Sequence, residues 1–80
     1  MARGERGIPM AAVERLLKRR GTQAGVDRVS DKAVRAMKEI LEDVALEIAG
    51  RAAALAQHAK RTTVKPEDIK LAAKALFRGL

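Results

Sequence analysis

From residue 33 onward, apolar residues return at steps of three and four: Ala33, Met37, Ile40, Leu41, Val44, Ile48, Ala52, Leu55 and Ala59. That is the period of one helix face. No proline interrupts it, and Gly50 is its only weak helix former, so the pattern predicts one long helix over roughly 31–59. Ser30 offers an N-cap oxygen, and Asp31 sits where the positive helix end favours an anion. A shorter pattern precedes it, with Met10, Val13, Leu16 and Leu17 following Pro9. Proline suits a first turn because its missing N–H would be unpaired there. The cations of "KRR" followed by Gly21 predict a stop, giving a first helix over roughly 9–20. "GTQAGVDRV" has two glycines and no period, and reads as a loop. After "RTTV", Lys65 takes an N-cap position, Pro66 the first helical one, and Glu67 and Asp68 the first turn. Ile69, Ala72, Ala73, Leu76 and Leu80 form the apolar face of that last helix. The expected fold is all-α: short helix, long helix, short helix.

The length of the central helix has a consequence. At ~1.5 Å per residue it would run roughly 43 Å. A compact 80-residue chain has a radius of gyration of only about 12 Å. Two short flanking helices cannot cover so long a stripe. Its middle, Ile40, Leu41, Val44 and Ile48, is therefore the expected core of an obligate dimer in which long helices cross. The composition removes other sources of stability. There is no cysteine, which excludes disulfides and thiolate metal sites, and one histidine cannot build a zinc site. No metal and no cofactor are expected.

The net charge is +7 and the pI near 10.6. Such a balance points to a polyanion, nucleic acid or an anionic membrane surface. No apolar run approaches the ~20 residues of a membrane span, and "MARGERGIPM" lacks the apolar core of a signal peptide. A soluble, intracellular protein is expected, with residues 1–7 as a flexible basic arm and 8–80 as the domain. Phe77 is the sole aromatic residue, which argues against single-strand binders that stack bases on aromatic rings. The cations are unevenly placed. Residues 1–29 hold seven cations and three anions, residues 30–59 four and five, and residues 60–80 six and two. The long helix is close to neutral, so the charge layout does not fit a basic amphipathic helix lying on a membrane. If two chains pair antiparallel, the first loop of one meets the second loop of the other. Arg28 then stands near Arg61, Thr62, Thr63 and Lys65 of the second copy. The adjoining helix start adds free N–H groups suited to a phosphate.

The stretches "IPMAAVERLLKRRG", "DRVSDKAV" and "LAQHAKRTTVKPEDIKLA" carry a resemblance to the archaeal histones, minimal histone-fold proteins. It runs from about Ile8 to Leu76. The resemblance implies a handshake dimer that binds double-stranded DNA without strong sequence preference. It further implies that dimers stack through four-helix bundles, bend and wrap the DNA, and compact the chromosome. The corresponding location is the cytoplasm, on the nucleoid. By the same resemblance, Arg28 is the loop arginine that enters the minor groove, and Thr63 supports it. Lys65 binds phosphate, and Arg15 and Lys18 face the DNA backbone. Arg61 and Asp68 clamp the second loop to the last helix, and Leu55 and His58 lie where one dimer meets the next. The chain departs from the family pattern in having more residues between Gly21 and Arg28, expected to lengthen the loop. Thr62 also stands where a lysine is common.

Plainer readings stand beside these. Arg61–Asp68 also fits an ordinary surface ion pair worth under ~1 kcal/mol, Arg28 a solvated loop cation, and His58 a solvated surface residue. Lys32, Arg35, Lys38 and Arg51, interleaved with acids, are expected on the solvated face of the long helix. No nucleophile or orienting partner is nominated for His58, so an enzyme is not expected and no catalytic residue is assigned. The competing function is a histone-fold subunit of a transcription-related heterodimer, or pairing with a paralogue. Self-association without a partner separates it from a homodimer.

Overall fold

Three α-helices form the elements of the computed structural model, which describes residues 7–26 and 28–78. They are α1 (Met10–Gln23), α2 (Asp31–His58) and α3 (Pro66–Phe77), with no strand among the described residues. The order short, long, short is the one expected from the periodicity. The ends of the helices follow from local chemistry. Pro9, at φ −59 and ψ 133, caps α1, and its carbonyl accepts the N–H groups of Ala12 and Val13 at 3.1 and 3.3 Å. Ser30 Oγ accepts the N–H of Ala33 at 3.1 Å and its carbonyl accepts that of Val34, so Ser30 caps α2 as expected. Asp31 occupies the first turn.

The end of α1 differs from the expected one. Gly21 does not stop the helix, which runs on to Gln23. The stop is Gly25, at φ +81. Its N–H reaches the Thr22 carbonyl at 3.1 Å, and the Val26 N–H reaches back to the Gly21 carbonyl at 2.7 Å. These two bonds satisfy carbonyls that the helix end would otherwise leave open, with glycine in the left-handed position. Gly21 has a different use. A Cβ there would lie 2.2 Å from the Val26 carbonyl oxygen, so the chain closing over the helix end requires a bare backbone at that position. Thr22 and Gln23 therefore belong to α1, and the connecting segment begins at Ala24.

α2 ends in the same motif without glycine. Lys60 takes φ +58. Its N–H bonds the Gln57 carbonyl, and the Arg61 N–H bonds the Ala56 carbonyl, both at 2.9 Å.

The described residues divide into two compact units between Glu42 and Asp43. The first holds α1 and residues 31–42 of α2, with Val13 and Val34 buried. It also buries Lys38, which was expected on the solvated face but is only 5% exposed. Lys38 forms an ion pair one helical turn away with Glu42, whose carboxylate also accepts the Ile8 N–H at 2.9 Å. A buried ammonium is tolerable only with such a partner, and breaking a pair of this kind costs about 3–5 kcal/mol. The second unit holds the rest of α2 with α3. Ala52, Ala56 and Ala72 are its buried apolar residues, and Asp68 is buried with them.

Within one chain the large apolar residues stay largely uncovered. Val13 is the only large side chain among the described residues that is fully buried. Ile40 is 59% exposed and Leu46 66% exposed, while Leu41, Val44 and Ile48 are half-buried. The residues expected on the α3 face divide likewise. Ala72 is buried, Ala73 and Leu76 are half-buried, Ile69 is exposed, and Leu80 lies outside the described residues. So do residues 1–6 of the expected basic arm; its last residue, Gly7, is exposed.

Candidate nucleic-acid interface

The segment between α2 and α3 is held by one side chain. Arg61 Nη1 donates to Asp68 Oδ2 at 3.0 Å and Nη2 to Asp68 Oδ1 at 2.9 Å. Nη1 also donates to the Thr63 carbonyl at 2.8 Å. Asp68 Oδ2 in turn accepts the Lys65 N–H at 2.8 Å. That last bond is half of a capping box; the lysine side chain has no acceptor with which to return it. The backbone N–H of Arg61 is meanwhile fixed to the Ala56 carbonyl. One arginine therefore ties the end of α2, the carbonyl in the middle of the loop and the first turn of α3.

The planar fork of the guanidinium matches the carboxylate, which is why a lysine would not serve. The hydrogen bond from Arg61 is the main reason that the Asp68 carboxyl is held at about 2, well below its ordinary 3.8; the Lys65 N–H adds to it. Asp68 in return raises the pKa of Arg61. The carboxylate is thus charged throughout the neutral range and keeps the loop drawn onto the helix start. The expected pairing of Arg61 with Asp68 is present in this geometry.

The residues displayed by that loop are exposed: Thr62, Thr63, Val64 and Lys65. Lys65 is extended, at φ −108 and ψ 161, and precedes Pro66 at the first helical position. The N–H groups of the first turn and the positive end of the helix dipole lie beside these side chains, an arrangement suited to an anion. Of the other expected contacts, Arg15 and Arg28 are exposed. Arg28 follows Asp27, which is outside the described residues. Lys18 is exposed but occupied on its own helix, 2.8 Å from Glu14, and that contact raises its pKa. Arg15, Lys18 and Arg28 belong to the first unit, and Thr63 and Lys65 to the second.

The second unit also contains a groove between α2 and α3, of about 380 Å³. Leu55 and His58, the two expected contact positions, line it together with Leu71 and Ala72. Each permanently charged side chain in its wall is a cation: Arg51, Lys74 and Arg78. Sequence reasoning found Leu55 and His58 but not the groove. Spacing shows only its α3 wall, where Leu71, Lys74 and Arg78 repeat at three and four residues on one helix face; the α2 wall is brought to it by the fold. Among the described residues no cluster of three or more His, Cys, Asp or Glu forms a metal site. No helix among them is long and apolar enough to cross a membrane.

The sequence is matched over residues 6–73 by the family model described as histone-like transcription factor (CBF/NF-Y) and archaeal histone. The chain is 44% identical over 68 residues to one subunit of the archaeal histone HAN1 of Thermococcus zilligii, covering 85% of this chain and 96% of the relative. It is 49% identical over 65 residues to a probable archaeal histone 3 of Methanocaldococcus jannaschii, covering 81% and 91%. The chain belongs to this family of histone-like and archaeal histone proteins. Its three helices are those of the histone fold.

Proposed function

We propose that two copies of this chain form a handshake dimer that binds and bends double-stranded DNA with little regard to sequence, compacting the chromosome. The incompletely covered stripe around Ile40, Leu41, Val44 and Ile48 supports dimerisation, because Ile40 stays 59% exposed in the described chain and the other three are only half-buried. In an antiparallel dimer of residues 8–80, the first loop of one copy comes beside the second loop of the other. Arg28 then reaches the minor groove next to Thr63 and Lys65 of the second copy, and Arg15 and Lys18 face the neighbouring phosphates. Arginine in an inward-facing minor groove, with helix ends on the adjacent phosphates, is the mode by which histone octamers hold DNA without reading bases. Preference then follows the ease of bending each sequence.

The observation that carries this reading is the ordered loop of Arg61, Thr63 and Lys65, clamped by Asp68 against a helix start. A clamp of that kind fixes the loop that displays Thr63 and Lys65 before DNA arrives. The test is the salt dependence of binding to duplexes of unrelated sequence. Affinity should be similar across sequences and fall linearly in log–log form. Lys65→Ala should flatten the slope by about one unit. An unchanged slope would remove Lys65 from the interface. The face bearing Leu55 and His58 we read as the place where the dimer meets its neighbour.

A second reading is favoured by one finding. One relative is named as a subunit, which suggests pairing with a different histone-fold chain. A purified chain that sediments as a dimer alone would decide for the homodimer, and a monomer for the heterodimer.

A further inference from the structure

The groove between α2 and α3 differs from an apolar dimer stripe in its charge. Its lining is apolar at Leu55 and Leu71, the latter 56% exposed. Its wall carries Arg51, Lys74 and Arg78, with His58 at the end of α2. No carboxylate among the described residues lines it. In a twofold contact between identical copies, the same patch meets itself. A patch whose charges are all positive then brings cation against cation, partly removed from water, which is the device by which interfaces reject a partner.

We infer that this groove docks an acidic amphipathic helix of a different protein chain, in preference to a second copy of this one. The partner places leucine-like residues on Leu55 and Leu71, and carboxylates against Arg51, Lys74 and Arg78. An amphipathic helix laid in a groove, with anchors three or four residues apart, fits a trough walled by two helices. The apolar floor favours a protein over a phosphate backbone, because a sugar–phosphate strand has nothing to bury there. This inference rests on the reading that the Leu55–His58 face is where the dimer meets its neighbour, and it names the chemistry of that neighbour.

The probe is a charge-reversed copy of the full chain, Arg51→Glu/Lys74→Glu/Arg78→Glu. Wild type, the variant and their equimolar mixture are compared by sedimentation velocity without DNA at low salt. Far-UV circular dichroism confirms that the variant is helical. All three positions are exposed, and Lys74→Glu alone provides a milder version of the same probe. The expected result is dimers for wild type alone, and complexes of twice that mass in the mixture at protein concentrations at least about tenfold lower than wild type needs. About 1 M salt, where the screening length falls to ~3 Å, should erase the difference. Wild type associating as readily as the mixture would overturn the inference in favour of a second copy. Where wild type alone is dimeric, a mixture that never exceeds dimers would overturn it as well. If the variant's salt slope for DNA then falls too, the groove faces phosphate. A wild type with the mass of one chain would defeat the dimer reading separately; a one-to-one complex with the variant would still support the groove.

Discussion

Arg61 and Asp68 show how much a single pair can organise. Two side-chain bonds join them, a third reaches the Thr63 carbonyl, and a fourth ties the Lys65 N–H to the same carboxylate. The carboxyl titrates at about 2 in the folded chain and at an ordinary 3.8 otherwise. The folded state therefore holds that proton less tightly than the unfolded state. The stabilisation is complete above the ordinary carboxyl value and is lost as pH falls from about 4 towards about 2. Thermal melts across that range should show an acid-labile component in the wild type that Asp68→Asn lacks, together with a lower melting temperature for the variant at neutral pH. Equal slopes in the two proteins would mean that the clamp contributes nothing to stability. Lys60 makes a second case. It holds a left-handed φ of +58 that costs a side-chain-bearing residue roughly 1–2 kcal/mol. Lys60→Gly should stabilise the fold by about 1 kcal/mol in denaturant titration, less the extra freedom glycine gives the unfolded chain.

At the scale of elements, the periodicity carried most of the fold. The helix starts at Ser30 and Pro66 were legible because capping is a property of single residues at fixed offsets. The end of α1 was not. A glycine after a run of cations reads as a helix stop, but glycine also serves where two stretches of backbone approach closely, and the sequence does not separate the two uses. Here Gly25 is the stop and Gly21 the close approach. Gly21→Ala separates them experimentally. Helix propensity alone predicts a gain of about 0.8–1 kcal/mol. A Cβ 2.2 Å from a backbone oxygen predicts a net loss of about 1–3 kcal/mol, read as a lower denaturation midpoint. Lys38 escaped for a related reason. A lysine among acids reads as solvated, and only the packing shows that it is buried on Glu42.

At the scale of the whole molecule, the length of α2 and the exposures of its residues agree on one point. The long helix keeps large apolar residues uncovered in a single chain: Ile40 at 59% and Leu46 at 66%. The positive charge lies outside that helix, in the segments before and after it. A protein whose central helix leaves large apolar residues exposed and whose flanking segments carry the positive charge is suited to holding a polyanion at several points at once. Of the candidate interface, the clamp was legible through the family resemblance. The cationic groove was not, because its walls come from two helices separated in sequence, and a one-dimensional reading has no means of bringing Arg51 beside Arg78.

The most direct test of DNA packaging is nuclease digestion of long duplex DNA saturated with the purified protein at low salt. Packaging by this chain predicts protected fragments of defined length, recovered from any sequence and shortened or lost with Arg28→Ala. Digestion as fast as that of naked DNA would contradict it.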